Sequence, residues 1–298
     1  MDLISVCICT YKRPDLLART LDGVIAQARD PSFAMEVVVV DNDSSRSAQG
    51  PVSRFQQSRI CKISYDCEPV KNISLARNRA IRNASGNLIA FIDDDEFPAD
   101  GWIRNMCRCL KRYEADGVLG PVVPHFPPGA PKWLAKSGIC ERPRNKTGSP
   151  TTLRDLRTGN LLLRRRLFGD DGRWFDPALG LTGGSDGMFL SELVDRGRIF
   201  VWCDEAVVYE TVPEERWAAG FYLKRNLRIG ALQGNVIRRT GNPVAVLFPT
   251  LSFAAHSVLL PFSALLGEHA WMKALTKISF SGGFLLAFFG LFRAPDRP

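Results

Sequence analysis

The sequence predicts an α/β fold with a mostly parallel central sheet and flanking helices, followed by a C-terminal helical region that associates with a membrane. Two apolar runs, at residues 36–40 and 88–92, indicate the sheet, because each lacks polar alternation and ends in a cluster of acids. Strands of this kind are buried on both faces, as in parallel sheets. Residues 243–266 indicate the helical region, since they contain no Asp, Glu, Lys or Arg.

Strands and helices alternate in the first part of the chain. An apolar segment over residues 4–10 predicts a strand, and apolar residues between positions 16 and 25 recur at helical spacing. The strand at 36–40, a helix at 73–83 and the strand at 88–92 follow. This order predicts a doubly wound sheet.

The next part of the chain carries weaker signals. Residues 121–150 are rich in Pro, Gly and Lys/Arg, which predicts a long loop suited to act as a lid. A helix over 187–195 and short strands at 200–202 and 206–209 complete a first domain, which we predict to span residues 1–212.

The C-terminal part divides into a basic amphipathic helical segment at 213–242 and a hydrophobic, membrane-associated tail at 243–298. The run at 243–266 is long enough to cross a bilayer. Pro249 and Pro261 would interrupt a straight helix, so helices that cross the membrane, enter it partway or lie on its surface are all compatible with the sequence. Basic residues at the outer flanks of the apolar stretches fit a hairpin with both ends in the cytoplasm. These residues are Arg238, Arg239, Arg293 and Arg297.

Charge and cysteine content narrow the class of partner and the compartment. The formal net charge of +8 suits a partner that carries phosphates. The eight cysteines lack the C-x-x-C spacing of common zinc sites, so we interpret them as core residues in a reducing compartment. The first residues do not resemble a signal peptide, so we expect the first domain at the cytoplasmic face of the inner (plasma) membrane.

Acidic residues follow two of the predicted strands. Asp41 ends one strand, and Asp93 and Asp95 stand in the acid run after the other. Ligands bind beyond the carboxyl ends of such strands, so these acids are expected to converge on one crevice. Asp93 and Asp95 are suited to hold a divalent cation, whereas a solvated acidic loop is the alternative. Asp41 could accept a hydrogen bond from a base or a ribose hydroxyl, but by itself it is more typical of a turn at the end of a strand.

Three further residues are candidates on weaker grounds. Arg77 and Arg79 lie two positions apart on a predicted helix, so they cannot share one face, and one of them is a candidate phosphate ligand. Asp186 precedes a predicted helix, where it serves as a plain helix cap or as a general base.

Taken together, these segments resemble the family 2 glycosyltransferases. The matching segments are collinear and lie at residues 6–14, 37–44, 76–78, 90–96, 158–160 and 183–186. Within the family, the chain looks most similar to bacterial exopolysaccharide enzymes of the succinoglycan glucosyltransferase type. The resemblance implies a Rossmann-like catalytic domain of the GT-A fold.

The resemblance also implies roles for individual residues. Five residues are expected to contact the nucleotide-sugar donor: Thr10, Asp41, Arg77, Asp93 and Asn160. Asp93 and Asp95 are expected to hold Mn²⁺ or Mg²⁺ as the D-x-D pair, with Asp95 as the direct ligand. Asp186 is expected to be the catalytic base. Ser185 departs from the family pattern, which has Glu at this place.

The implied activity is an inverting, metal-dependent hexosyl transfer from a nucleotide-diphosphate sugar, in the first place a UDP-sugar. The acceptor would be a lipid-linked molecule or a polysaccharide in bacterial cell-surface glycan synthesis, with membrane lipids as a further partner. A nucleotidyltransferase is an alternative, although the loop after the first strand lacks the glycines typical of that class. A non-catalytic, membrane-anchored nucleotide-sugar-binding module is another. Nucleic acid is not expected as a partner, because the acidic crevice would repel phosphates in the absence of a metal.

Overall fold

A computed structural model describes residues 1–57, 60–153, 155–169, 172, 174–181, 183–240 and 243–292. The strands are β1 (Leu3–Thr10), β2 (Ala34–Asp41), β3 (Lys62–Cys67), β4 (Leu88–Phe91), β5 (Glu96–Pro98), β6 (Gly117–Leu119), β7 (Val122–His125), β8 (Leu161–Arg164), β9 (Phe200–Trp202) and β10 (Val208–Thr211). The helices are α1 (Pro14–Gln27), α2 (Gln49–Gln56), α3 (Ile73–Asn83), α4 (Trp102–Arg112), α5 (Lys132–Ser137), α6 (Ser185–Asp195), α7 (Ala219–Thr240), α8 (Leu247–Leu265) and α9 (Glu268–Phe288).

The main sheet has seven strands in the order β3-β2-β1-β4-β8-β6-β9. The pairs β1–β2, β1–β4, β2–β3 and β6–β9 are parallel, whereas β8 runs antiparallel to both β4 and β6. A smaller sheet has the order β5-β10-β7. The predicted α/β class with a mostly parallel sheet is therefore confirmed.

Helices cover both faces of the main sheet, because alternate residues of the buried strands point to opposite sides. On one face, Val37 and Val39 pack in a cluster that includes buried residues of α1 and α4. On the other face, Val38 and Val40 pack with buried residues of α3 and α6. Both apolar layers rest on the same run of four valines, which explains why the run shows no polar alternation.

Two stretches differ from the sequence prediction. The strand β3 was not predicted, because it forms an edge of the sheet and only Ile63 in it is fully buried. The segment at 121–150 is not one long loop, since it contains β7 and α5. In α5, Trp133 and Leu134 are buried in a small cluster of large apolar side chains, and this packing holds the Pro-rich segment in a helical turn.

The chain forms two compact units. The first contains residues 1–123 and 142–210, and the second contains residues 124–141 together with the chain from Thr211 onward. The division into a first domain at 1–212, a basic helical segment at 213–242 and a tail at 243–298 stays a prediction.

In the second unit, α9 packs against α5, α7 and α8. The helices α7 and α9 approach at backbone distance through glycines. A Cβ atom at Gly230 would lie 1.9 Å from the carbonyl oxygen of Phe280, and one at Gly283 would lie 2.1 Å from that of Leu227. Within the described residues, Val244–Leu265 is the one helical stretch long and apolar enough to cross a membrane, and almost none of it is buried. Arg293 and Arg297, used above to predict a hairpin, lie outside the described residues.

A buried carboxylate joins three strands near their N-terminal ends, at the opposite end of the strands from the acid run. Glu36 on β2 accepts hydrogen bonds from the hydroxyl of Ser5 at 2.6 Å and from the backbone N–H and hydroxyl of Ser85 at 2.6 and 2.7 Å. Lys62 on β3 lies 3.2 Å from its other oxygen. Burial opposes the charge of Glu36, but these hydrogen bonds outweigh it and hold the pKa at about 2.

We expect Glu36→Gln to lower the free energy of unfolding by about 2 kcal/mol near neutral pH, because buried hydrogen bonds to a charged group are lost. A carboxyl whose folded pKa is lowered stabilises the fold above its unfolded pKa, here near 4.5. Wild-type stability should therefore fall as the pH drops from 4.5 towards 2, and the variant should lack this contribution. Urea unfolding across this pH range measures both effects. Glu192→Gln, at a half-exposed position of α6, is the matched control and should change stability by less than about 0.5 kcal/mol.

Candidate active site

The carboxyl ends of three neighbouring strands form the candidate site. Because β1 pairs in parallel with both β2 and β4, the three strands end at the same edge of the sheet. Thr10 is the register partner of Asp41, and the acid run from Asp93 to Asp95 follows one residue after β4. The strand order thus places these predicted residues along one edge.

The middle acid of the run, Asp94, ties the turn to β1. The hydroxyl of Thr10 donates to one oxygen of Asp94 at 2.8 Å, and the guanidinium of Arg13 donates to the other at 3.0 Å. Arg13 also donates to Asp95 at 3.1 Å. Thr10 and Asp94 therefore hold the turn that carries Asp93 and Asp95, a role for Asp94 that spacing alone did not indicate.

The acid run carries more negative charge than its surroundings balance. Burial raises the pKa of Asp93, with the charge of Arg77 opposing it. Burial and the neighbouring charges of Asp93, Asp94 and Glu210 raise the pKa of Asp95 to about 7, although Arg13 opposes them. Buried carboxyl groups with raised pKa values occur where a site is organised for a cation or for catalysis.

The residues present fit a divalent cation shared with a substrate. One carboxylate oxygen of Glu96 is buried and accepts no hydrogen bond from any described residue, which marks an incompletely satisfied polar site. Among the residues that the structure describes, no group of three or more His, Cys, Asp or Glu side chains is arranged to hold a metal. Mg²⁺ is commonly held by one or two carboxylates together with substrate phosphates. Asp93 and Asp95 match that type of open site better than a closed protein cage.

A further acid, Glu210 on β10, belongs to this cluster and was missed by the sequence prediction. It is the register partner of Glu96, and its charge contributes to the raised pKa values of Asp93 and Asp95. Arg142 forms an ion pair with Glu210. The sequence held a usable signal, because Glu210 follows an apolar run at 206–209 just as Asp41 and Asp93 follow theirs.

The two arginines of α3 have different surroundings. Arg79 forms ion pairs with Glu68 at 3.0 Å and with Asp66 at 3.2 Å. Arg77 lies 5.6 Å from the ring centroid of Phe175, and its charge acts on Asp93. Arg77 is therefore the arginine of this pair that is electrostatically coupled to the candidate site.

Asp41 and Asn160 are buried, and both are bonded to the protein itself. The carboxylate of Asp41 accepts from the backbone N–H of Asp43 at 3.0 Å and of Ala48 at 2.8 Å, and from the hydroxyl of Tyr65 at 3.1 Å. These bonds hold the loop after β2 in place.

Asn160 has a left-handed backbone conformation, with φ of 59°. Its amide nitrogen donates to the carbonyl groups of Pro121 and Ala206, and its oxygen accepts from the indole N–H of Trp102 at 2.7 Å. The residue anchors the segment next to the acid run, and its predicted contact with the donor sugar stays a prediction.

Gly159 lets this segment pass close to the acids. A Cβ atom at this position would lie 2.8 Å from a carboxylate oxygen of Glu96 and 3.2 Å from one of Asp93. The absence of a side chain is therefore a packing requirement of the site.

We expect Gly159→Ala to displace these carboxyl groups and to lower metal-dependent donor binding at least about tenfold, since overpacking a buried site forces side chains to shift. Calorimetric titration with a nucleotide sugar in the presence of Mn²⁺ measures the effect. Gly50→Ala in α2 is the matched control, because a Cβ atom there meets nothing within 4 Å. Equal donor binding by both variants would contradict the close-packed site described here.

Asp186 lies in the first turn of α6, after Gly184, which has a φ of 98°. Its half-buried carboxylate forms no hydrogen bond or ion pair with another described residue, and none joins it to the acid run. Ser185 beside it is buried, and its hydroxyl has no hydrogen-bond partner among the residues that the structure describes. Within the described chain, the carboxylate of Asp186 is thus not engaged by another side chain.

Sequence comparison decides the family. The profile of glycosyl transferase family 2 matches residues 5–172, more than half of the chain. The chain belongs to glycosyltransferase family 2. It is 34% identical over 237 residues to the succinoglycan biosynthesis protein ExoM of Rhizobium meliloti (strain 1021), covering 78% of this chain and 75% of ExoM. The resemblance to succinoglycan enzymes is thereby confirmed.

A second relative is similar over a shorter region. The Escherichia coli protein named UDP-Glc:alpha-D-GlcNAc-diphosphoundecaprenol beta-1,3-glucosyltransferase WfgD is 33% identical over 104 residues, which cover 35% of this chain and 37% of WfgD. The likeness therefore spans well under half of that protein.

Solved structures of glycosyltransferases share the fold. The mannosyltransferase PcManGT from Pyrobaculum calidifontis, in complex with GDP-Man and Mn²⁺, matches with a TM-score of 0.62 and 18% identity, over 95% of this chain and 86% of PcManGT. Residues 1–349 of TarS from S. aureus, in complex with UDP-GlcNAc, match with a TM-score of 0.57 and 16% identity, over 96% of this chain and 91% of that one. This chain spans 55% of the longer TarS chain. At these identities the likeness concerns the fold, which is the GT-A type predicted.

Proposed function

We propose that this family 2 glycosyltransferase moves a sugar, with inversion, from a UDP-sugar to a hydroxyl group of a lipid-linked or polysaccharide acceptor in bacterial surface-glycan synthesis. The observation that carries the proposal is the buried, charge-unbalanced acid run at the carboxyl edge of the sheet. Relatives support the choice of substrates: ExoM is named for succinoglycan biosynthesis, and WfgD for transfer from UDP-Glc to a diphosphoundecaprenol acceptor. TarS binds UDP-GlcNAc, and PcManGT binds GDP-Man with Mn²⁺.

The residues of the site divide the work of a single displacement. Asp93 and Asp95 would hold Mn²⁺ or Mg²⁺, which when bound neutralises the charge that develops on the departing diphosphate. Arg77 adds a positive charge that acts on Asp93. Thr10 and Asp94 fix the turn, so that the carboxylates need no rearrangement as the donor binds.

Asp186 is proposed as the base on the acceptor side. The acceptor oxygen forms a bond to the anomeric carbon while the bond from that carbon to the diphosphate oxygen breaks. The hydroxyl proton passes to the carboxylate of Asp186, and the bonding electrons leave with the diphosphate. Attack opposite the leaving group inverts the anomeric centre.

We propose that the protein works at the cytoplasmic face of the plasma membrane, where a lipid-linked acceptor is held. The support is the exposed apolar helix α8 and the lipid-linked acceptor in the name of WfgD. The proposed roles of the catalytic residues do not depend on where in the cell the protein works.

A donor screen tests the proposed function. UDP-, GDP- and dTDP-sugars are titrated against the full chain in detergent, with Mn²⁺, with Mg²⁺ and with EDTA. We expect a UDP-sugar to bind at least about tenfold more tightly with metal than with EDTA, because a cation held by Asp93 and Asp95 would offset the negative charge of the diphosphate. No metal-dependent binding of any nucleotide sugar would overturn the proposal, and binding without transfer to any acceptor would indicate a non-catalytic binding module.

A further inference from the structure

We propose that α8 lies flat on an anionic bilayer, with its apolar outer surface in the lipid, and that none of the helices α7, α8 and α9 crosses the membrane. This inference rests on the membrane association proposed above and adds its geometry and its lipid requirement. The sequence pattern alone left crossing, partial entry and surface binding open. The packing of the second unit distinguishes among them.

The outer surface of α8 is apolar along its whole length. Its exposed large side chains include Leu251, Val258, Leu259, Phe262 and Leu265, each more than half exposed. The half-buried positions Ser252, His256, Leu260 and Ser263 recur at helical spacing and form one narrow stripe. This stripe, together with the buried Pro249 and with Phe253, whose ring lies against Gly282, forms the packed side of α8, and the large side chains on its other sides are exposed within the described part of the second unit.

The helices α7 and α9 run side by side in the same direction. Gly230 of α7 lies against the backbone of Phe280, and Gly234 lies against that of Phe284, so a step of four residues on one helix matches a step of four on the other. The helix α8 runs antiparallel to α9, because only Leu266 and Gly267 connect them. These contacts fix which residues of the three helices lie at the same level.

The same register places cations beside the middle of α8. A Cβ atom at Gly282 of α9 would lie 3.4 Å from the ring of Phe253, so Lys277, just over one turn earlier, is level with the central turns of α8. Lys277 of α9 and Arg228 of α7 lie level with the middle of α8, whereas Lys224 and Lys273 lie about one turn closer to its C-terminal end.

If α8 crossed a bilayer, this packed layer would carry those charges into the hydrocarbon. Charged side chains at that depth are costly and normally face a partner or water-filled cavity. A helix lying in the interface instead buries its apolar surface and leaves cations on neighbouring helices at the level of the headgroups. The flat arrangement is therefore the one compatible with both the apolar surface and the charges.

The charge distribution selects an anionic surface as the occupant. Residues 216–298 contain ten Lys and Arg against two Asp and Glu, whereas residues 1–215 contain 29 of each. The whole net charge of the chain thus resides in the part that carries α8. A second copy of the chain docked on the same surface would bring equal positive charges together, whereas anionic headgroups attract them.

The test is flotation of the full chain with vesicles of phosphatidylcholine alone and of phosphatidylcholine with phosphatidylglycerol, followed by an alkaline carbonate wash. We expect binding to the anionic vesicles only, weakening in high salt, and release by carbonate. The double variant Leu259→Asp/Phe262→Asp should reduce the partition coefficient at least about 100-fold. The variant Lys273→Gln/Lys277→Gln should reduce it about 30-fold. Leu153→Asp, at an exposed apolar position of the first unit, should leave it unchanged.

The other outcomes overturn the proposal in distinguishable ways. Resistance to carbonate with equal binding to both vesicle types would show a crossing helix. Absence of flotation together with a doubled mass in light scattering would show that a second copy covers α8. Binding of a UDP-sugar in detergent is measured on the same variants, so a failure of the membrane geometry is separate from a failure of the proposed transferase function. Circular dichroism confirms that each variant keeps its helices.

Discussion

Asp95→Asn is expected to lower kcat/KM for sugar transfer at least about 1000-fold without lowering the stability of the protein. The carboxylate is one of the two that we propose to hold the cation that would offset the charge of the departing diphosphate. In the protein without metal, burial and the charges of Asp93 and Asp94 raise its pKa to about 7, so its negative charge is unfavourable there. Removing that charge therefore relieves electrostatic repulsion in the folded protein, while it removes the proposed metal ligand.

Two measurements separate these effects. Thermal unfolding without metal should occur at the same or a higher temperature in Asp95→Asn than in the wild type. Added Mn²⁺ with UDP should raise the unfolding temperature of the wild type but not that of the variant. Asp100→Asn, at an exposed position shortly after β5, is the matched control and should behave as the wild type does. If the variant kept metal-dependent stabilisation, the assignment of Asp95 as the metal ligand would be wrong, and Asp93 and its neighbour Glu210 would be the candidate ligands.

The strands that carry the site could be predicted because burial on both faces requires an apolar residue at nearly every position. The valines at 37–40 pack in two opposite layers, so every position is apolar, and a parallel partner on each side follows from that pattern. The edge strand β3 has no such apolar run, because Ile63 is its one buried residue, and Tyr65 and Asp66 are only half-buried. The acids that directly follow the buried strands could be predicted because each stands at the end of such an apolar run.

The hydrogen-bond and ion-pair partners of the polar residues at the site could not be predicted, because they come from distant parts of the chain. Asn160 meets the indole of Trp102, and Glu210 meets Arg142, across dozens of residues that carry no local signal. Asp41 has the expected position, yet its oxygens accept from its own loop and from Tyr65. A residue type at a strand end thus indicates where a polar group lies, whereas its bonding state depends on the tertiary structure.

Asp186→Asn is expected to lower kcat for transfer by about 100- to 10,000-fold and to leave the affinity for the donor unchanged. The amide has nearly the same size and keeps the first turn of α6, but it cannot take the proton of an acceptor hydroxyl. The carboxylate forms no bond with other described residues, so its loss should cost little stability. Single-turnover transfer and calorimetric donor titration measure the two quantities on the same preparation.

The neighbouring residue supplies the control that decides the interpretation. Ser185 stands at the position where the family resemblance implies Glu, and its buried hydroxyl has no hydrogen-bond partner within the described chain, so Ser185→Ala should keep both donor binding and transfer. If Ser185→Ala lost transfer while Asp186→Asn kept it, the proton would pass through the hydroxyl and the assignment of Asp186 would be wrong. If only Asp186→Asn loses transfer, a single carboxylate at the start of α6 is sufficient for the acceptor side of this enzyme.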